Sequence, residues 1–373
     1  KMMFTKKPYR AVGMMSGTSL DGIDVAEIVT DGETIFEFGR TAYHAYDDHD
    51  RQMLRAGLGR WPHPDLDPLQ RLVERLHIAA AAEFDTDILG FHGQTLAHDP
   101  AAGRTHQIGD GQALADHFGV PVAWDFRSRD VAHGGQGAPL APFFHFACAK
   151  YCDVTEPIAV LNLGGVGNIT YVDPSYDDPA APGAVLAFDT GPANAPINDI
   201  MMARFGLPFD ENGRVASQGQ ANLDIVRRAL ALDYFAAPAP KSLDRDAFAQ
   251  VLDWIMDAKD GDAIATLTQI VVATVVHAVA QLPCRPSCLW ITGGGRKNPI
   301  IMRGLSHSLP CPVIQIEAVG LDGDMLEAQA FGYLAVRVAR GLPISAPMTT
   351  GVPYPMVGGQ IAQPQSRAAA GPT

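Results

Sequence analysis

Cysteine is scarce: five occur in 373 residues, and no two form a Cys-x-x-Cys pair. Cys148/Cys152 and Cys284/Cys288 are each spaced Cys-x-x-x-Cys, which suits neither a zinc ribbon nor a redox dithiol. The expectation is a reduced protein whose cysteines serve as small packing residues. Positive charge is also short, with 28 Lys and Arg against 41 Asp and Glu and a formal net charge of −13. Such a chain offers no broad cationic face, so neither nucleic acid nor a membrane is expected as a partner. A local basic pocket for a small anion stays open. The longest apolar run, Ala263 to Leu282, is broken by Thr266, Thr268, Gln269, Thr274, His277 and Gln281. A buried core helix fits it better than a membrane span. Lys6, Lys7 and Arg10 lead straight into a strand pattern with no apolar leader, and a cytoplasmic location is expected. A Walker lysine is missing too, because no Gly-Lys-Ser/Thr occurs.

Glycine is plentiful, at 37 residues, and proline numbers 28. Tight turns should be frequent. The length suits two domains. Strand patterns are expected at Tyr9–Met14, Ile23–Thr30 and Thr34–Tyr43, then Asp87–His92 and Pro121–Trp124. Leu69, Leu72, Val73, Leu76 and Ala80 recur at helical spacing and predict a helix over 66–84. A further helix is expected over Gly111–Phe118. A second series starts at Ile158–Leu163, with a hairpin partner at Ile169–Val172 and a strand at Ala184–Phe188. Helices follow near 193–204, 222–232, 244–257 and 262–282, then a strand over Cys288–Thr292 and a last helix over 324–340. Each half thus begins with a strand, a Gly-rich turn and an antiparallel partner.

Six segments carry chemistry. Gly13-Met14-Met15-Ser16-Gly17-Thr18-Ser19-Leu20-Asp21-Gly22-Ile23-Asp24 lets backbone N–H groups and hydroxyls approach phosphate oxygens. Its Asp21 and Asp24 could hold water around Mg²⁺; a plain hairpin turn with Asx caps is the other reading. Leu163-Gly164-Gly165-Val166-Gly167-Asn168 suggests a matching second hairpin, since a strand rather than a helix follows it. Thr292-Gly293-Gly294-Gly295 has more glycine than a strand-to-helix turn needs, which leaves room for a flat ring or a phosphate. Asp189, where an apolar strand ends in Asp189-Thr190-Gly191-Pro192, is either a general base or the N-cap of the next helix. Asp324 and Glu327 read as a capping box, or the segment as the source of a second carboxylate near Asp189. Arg127 and Arg129 could grip a substrate carboxylate, or pair on the surface with Asp125 or Asp130. His92-Gly93-Gln94-Thr95 adds polar donors at a strand end, His92 itself reading first as a satisfied core histidine.

Taken together and in order, these segments resemble the anhydro-N-acetylmuramic acid kinase family from Gly13 to about Gly359. Ser16-Gly17-Thr18-Ser19-Leu20-Asp21-Gly22 is the most specific string. His92-Gly93-Gln94-Thr95, Gly134-Gly135-Gln136-Gly137-Ala138-Pro139-Leu140, Asn162-Leu163-Gly164-Gly165 and Glu327-Ala328 agree with it. The resemblance implies an α/β fold of two RNase H-like domains of the actin-like ATPase kind, with ATP in the cleft between them. Expected bounds are 1–135 and 136–340, with the tail 341–373 packing back on the first domain. It implies that Gly17, Thr18, Ser19, Leu20, Asp21, Gly22, Ile23 and Asp24 bind ATP phosphates and Mg²⁺. Asp21 and Asp24 would act on the metal through water. Gly164, Gly165 and Gly167 would form the second phosphate hairpin, and Gly293, Gly294 and Gly295 would flank the adenosine.

The implied reaction is hydrolytic phosphorylation of a 1,6-anhydro sugar. Water attacks C1 while O6 takes the γ-phosphoryl group, giving N-acetylmuramic acid 6-phosphate. Asp189 matches the base that activates the water, and Glu327 the carboxylate that helps place it. Gln94, Thr95, Arg127, Arg129 and Gln136 are the expected sugar contacts, one of the two arginines taking the lactyl carboxylate. A homodimer is the expected assembly. Two other functions fit the same fold. One is a kinase of a different anhydro sugar or of a hexose, which would need no cation for a carboxylate. The other is a non-catalytic sugar sensor, although the zinc-type cysteine cluster of some such proteins is missing.

Overall fold

The computed structural model describes residues 5–243 and 248–365. In chain order the strands are β1 (Tyr9–Ser16), β2 (Gly22–Thr30), β3 (Ile35–Ala45), β4 (Ile88–Asp99), β5 (Arg104–Ile108), β6 (Val122–Trp124), β7 (Ile158–Leu163), β8 (Val166–Val172), β9 (Val185–Pro192), β10 (Leu289–Thr292), β11 (Val313–Gln315) and β12 (Gln360–Ala362). The helices are α1 (Asp48–Gly57), α2 (Asp67–Ala81), α3 (Gly111–Phe118), α4 (Ser128–Ala132), α5 (Pro142–Tyr151), α6 (Asn194–Phe205) and α7 (Leu223–Leu230). They continue as α8 (Asp233–Ala236), α9 (Ala249–Ile255), α10 (Asp260–Ala280), α11 (Pro299–Ser308), α12 (Leu326–Arg340) and α13 (Pro347–Thr350). The helix expected from 244 is described only from Ala249, because 244–247 lie outside the described residues, as does 366–373 of the expected tail.

The chain divides into two compact units. The first runs to Tyr151 and resumes at Met325, and the second is Cys152–Asp324. These limits differ from the expected 135/136 and 340/341 for a packing reason. α5 lies on β3, where Phe144 meets Phe38 edge-on at 6.4 Å. α12 lies on β1, β2 and β4. Both helices therefore belong to the first unit. α5 shows no helical period in its sequence because Pro142 to Ala149 are all buried, so it has no polar face to mark it.

Both units build the same sheet. In the first the order is β3-β2-β1-β4-β6, with β12 beyond β6 and β5 paired to β4. In the second it is β9-β8-β7-β10-β11. In each, the opening three strands form an antiparallel meander and the later two run parallel to the first. That is the RNase H-like arrangement, repeated, in an α/β fold.

α12 approaches its sheet closely. A Cβ built on Gly13 would lie 1.8 Å from the Ala328 carbonyl oxygen and 2.4 Å from the Gly332 nitrogen. One on Gly90 would lie 2.2 Å from the Phe331 carbonyl oxygen. Backbone here packs on backbone, so the glycines of β1 and β4 set the helix height. In the second unit α10 is long and apolar enough to span a membrane by length and composition, but most of it is buried in that unit's core. All five cysteines are free thiols.

Candidate active site

In the first unit, β1 and β2 are joined by a loop that exposes Thr18, Ser19 and Asp21. Its base is rigid. The Ser16 hydroxyl donates to Gln94 Oε1 at 2.5 Å, so the Tyr46 hydroxyl, 2.6 Å away, donates to Ser16. Burial pushes the Tyr46 phenol up to about 12, which keeps that proton in place. Gln94 Nε2 donates to the Gly17 carbonyl at 3.3 Å. Gln94 is wholly buried, so its amide holds the loop rather than facing a sugar, contrary to the sequence expectation. Leu20 has a left-handed φ of 58°. Its side chain and that of Ile23 are buried in the core. These two residues can serve a nucleotide only through their backbone. Asp24, at the start of β2, is partly buried. Asp21 and Asp24 both lie close enough to Tyr43 to raise its phenol, after burial.

Along β4 the chain reaches His92, Gly93, Gln94 and Thr95. His92 Nε2 accepts from Arg127 Nε at 2.9 Å, so its Nδ1–H donates to the Gly93 carbonyl at 2.8 Å. It is therefore a neutral, satisfied core histidine. Arg127 Nη1 donates to the Gly137 carbonyl at 2.8 Å. Burial lowers the guanidinium to about 10, while Glu327 and Asp130 favour its charged form. Neither carboxylate forms an ion pair with it: among the described residues Arg127 has no acidic partner within 4.0 Å. Arg129 is exposed. The anticipated surface pairs with Asp125 and Asp130 are absent for both arginines among the described residues. Asp130 is instead buried, accepting from the Gly137 N–H at 2.7 Å, the Ser345 hydroxyl at 2.5 Å and the Thr350 hydroxyl at 2.6 Å. It knits the Gln136 loop to α13, where the Gln136 N–H donates to the Thr350 carbonyl at 2.7 Å. Thr95 accepts from Gln107 Nε2 at 3.2 Å.

Glu327 opens α12. It is solvent-accessible, yet the protein around it raises its carboxyl, with the Arg127 charge pulling the other way. No capping box forms with Asp324, since the N-cap of α12 is Met325, whose side chain does not cap the helix. Asp324, in the second unit, pairs with Lys297 and with buried Arg296, each at 3.0 Å. Arg296 Nη1 also donates to the Gly293 carbonyl at 3.0 Å, which anchors the glycine triplet. Gly293 has φ 77° and, like Gly295, packs against Leu163. Gly294 alone faces open space: a Cβ there would meet only Asn194 Nδ2, at 3.9 Å.

The second hairpin turns at Gly164 and Gly165, between β7 and β8. The start of α6 closes on it, with Asn194 N–H donating to the Gly164 carbonyl at 2.9 Å and Ala195 N–H to the Gly165 carbonyl at 3.1 Å. An apolar concavity of about 190 Å³ adjoins Gly165, Pro192 and Leu243.

Asp189 is the fifth of the eight residues of β9, which ends at Pro192. It does not cap α6, whose N-cap is Ala193 without a side-chain bond. Its Oδ2 accepts from the Leu243 N–H at 2.8 Å, and Oδ1 has no partner among the described residues. Burial raises the carboxyl to about 6, with the Leu243 N–H opposing. The strand is steadied by the Lys241 carbonyl, which accepts from Asp189 N–H at 3.0 Å, and by the Tyr234 hydroxyl, which donates to the Asp189 carbonyl at 2.6 Å. Tyr234, Lys241 and Leu243 escaped the sequence reading, because no local pattern ties them to a strand some fifty residues earlier.

The family model described as anhydro-N-acetylmuramic acid kinase matches residues 9–364. An anhydro-N-acetylmuramic acid kinase of Roseobacter denitrificans is 54% identical over 367 residues, covering 98% of this chain and 97% of its own. One of Cereibacter sphaeroides is 56% identical over 360 residues, covering 96% and 97%. Among solved structures, a ligand-bound xylulose kinase from Lactobacillus acidophilus is similar at a TM-score of 0.42 and 11% identity, over 95% of this chain and 94% of that one.

Proposed function

The chain belongs to the anhydro-N-acetylmuramic acid kinase family, and from that premise we propose how its residues open and phosphorylate the sugar. The enzyme uses ATP to convert 1,6-anhydro-N-acetylmuramic acid into N-acetylmuramic acid 6-phosphate, a step of cell-wall recycling. One observation carries the mechanism: a buried Asp189 carboxyl with one oxygen fixed by the Leu243 N–H and the other unengaged among the described residues. Ionised, that second oxygen takes a proton from water as the water attacks C1. The C1–O6 bond breaks, O6 attacks the γ-phosphorus, and the bond to the β,γ-bridging oxygen breaks so that ADP leaves. Glu327 helps to place the water.

The Gly17–Asp24 loop and the Gly164–Gly167 hairpin supply N–H groups and hydroxyls for the phosphates. Asp21 and Asp24 are hard oxygen donors, as Mg²⁺ requires. Among the described residues no group of three or more His, Cys, Asp or Glu side chains is placed to hold a metal. Two carboxylates suit an ion that keeps its waters and arrives with the nucleotide. Bound there, Mg²⁺ would neutralise charge on the β- and γ-phosphates. Gly293–Gly295 receive the adenosine. Gly294→Val should leave stability nearly unchanged, because the added group meets open space. It should weaken ATP binding by about tenfold or more in calorimetry.

Arg127 holds the lactyl carboxylate, since it is a half-buried cation without an acidic partner. Gln136 and Thr95 are the remaining sugar contacts. Arg127→Ala should raise KM for the muramic sugar by the equivalent of roughly 1.5–3 kcal/mol, the scale of a hydrogen bond to a charged group. Arg129→Ala should change it little. Neither should matter for an anhydro sugar without the carboxylate, and steady-state kinetics on both sugars check this. The assembly is proposed to be a cytoplasmic homodimer, which light scattering would test.

Isotopically labelled water tests the reaction course. Label should appear at the anomeric carbon of rapidly quenched product and stay out of the phosphate ester oxygen. Early product without label at C1 would favour a kinase of an ordinary hexose instead.

A further inference from the structure

Arg127 is held by two neutral acceptors, His92 Nε2 and the Gly137 carbonyl. This is an unusual mounting for a half-buried guanidinium, which more often meets a carboxylate. Its consequence is geometric as well as electrostatic. A guanidinium presents two edges able to grip a carboxylate with paired N–H groups: the Nε/Nη2 side and the Nη1/Nη2 end. His92 occupies the Nε–H, so the side edge cannot bind bidentately. The Gly137 carbonyl takes one of the two Nη1 protons. Among the described residues, Nη2 alone keeps both of its N–H groups.

His92 is itself immobilised. It is 3% exposed, its Nδ1–H is spent on the Gly93 carbonyl, and its ring leans on Phe331 of α12 at 4.8 Å. The Arg127 guanidinium lies 5.9 Å from the centre of the same ring. Phe126 meets that ring too, at 5.0 Å. An aromatic wall and two fixed acceptors therefore leave Arg127 little freedom.

We propose that His92 is a positioning residue for substrate recognition: as a neutral acceptor on Arg127 Nε, it blocks the side edge without pairing with the cation and turns Nη2 toward the carboxylate of the sugar. The assignment rests on Arg127 being the carboxylate-binding residue. An acid at position 92 would neutralise the cation, and a group that cannot accept would leave Nε–H buried and the guanidinium free to turn.

The test uses the intact enzyme and two anhydro sugars, one with the lactyl carboxylate and one without. His92→Phe keeps a ring against Phe331 and removes the acceptor. It should raise KM for the carboxylate sugar about tenfold, with KM for ATP and kinetics on the uncharged sugar unchanged. His92→Gln places an amide oxygen near the Nε2 position and should recover most of the loss. His92→Asn is too short to reach Arg127; it should behave as His92→Phe does, and it serves if the Phe variant does not fold. Combining His92→Phe with Arg127→Gln should add nothing to the effect of Arg127→Gln alone, because the histidine acts through the arginine. Equal losses on both sugars, no recovery by His92→Gln, or additive losses in the double variant would each overturn the assignment. If Arg127→Gln is neutral on the carboxylate sugar, the carboxylate reading of Arg127 falls and this inference with it. If Arg127→Gln discriminates between the sugars but His92→Phe does not, only the role of His92 falls.

Discussion

Asp189→Asn is expected to lower kcat by about 10²–10⁴-fold while ATP binding persists. The substitution keeps shape, and the amide oxygen can still accept from the Leu243 N–H. What it loses is the ability to take a proton. A cap reading would predict full turnover, since Asn caps about as well as Asp. That reading has already lost its geometric basis, because α6 starts at an Ala193 cap without a side-chain bond. The pH dependence follows from the same burial. With the carboxyl raised to about 6, the base is protonated below that pH. The rate should therefore fall as pH drops through 6 and level off above it. Stability runs the opposite way. A carboxyl raised on folding favours the folded state at pH below its unfolded value, and that contribution is lost as pH rises from about 3.8 to about 6. Above pH 6 the ionised carboxylate is a cost to the fold. Asp189→Asn should thus melt no lower than the parent at neutral pH, and a lower melting temperature together with intact turnover would contradict both halves.

Gly13→Ala is expected to be among the most destabilising single changes, at about 3 kcal/mol or more out of a typical 5–15. The added carbon would sit 1.8 Å from a backbone oxygen of α12. No rotamer relieves such a clash, so the helix must lift from β1 and expose the core beneath it. Urea unfolding measures the loss. Gly294→Ala is the contrast, because its Cβ meets nothing nearer than 3.9 Å. Similar midpoints for the two variants would show that α12 rides on its sheet less rigidly than the backbone contacts require.

Much of this was legible in the chain because the signals were local. A Gly-Thr-Ser loop between two apolar strands reads as a phosphate hairpin, and its repetition near Gly164 reveals a duplicated fold. The aspartate at a strand end drew attention to Asp189 for the same reason. What stayed hidden depends on partners far apart in sequence. Gln94 looked like a sugar ligand, yet its bonds to Ser16 and Gly17 bury it. Asp130 looked like a surface partner for arginines, yet its oxygens serve Ser345 and Thr350, more than two hundred residues on. Arg127 and Arg129 are two residues apart and chemically identical, and only burial tells them apart. The unit boundary was misplaced because contiguity along the chain says nothing about which sheet α12 covers.

That helix also dictates an order of events during synthesis. The first unit is interrupted by the whole of the second, and its β1, β2 and β4 wait for a cover that starts at Leu326. At roughly 5–20 residues per second, the ribosome needs on the order of 10–50 s to travel from Gly90 to α12. Throughout that interval the nascent amino-terminal sheet carries an apolar face with bare glycines, open to chaperones and to misdirected pairing. The inserted unit is sequence-contiguous and can close its own core while still tethered. The amino-terminal half of the polypeptide emerges first and matures last.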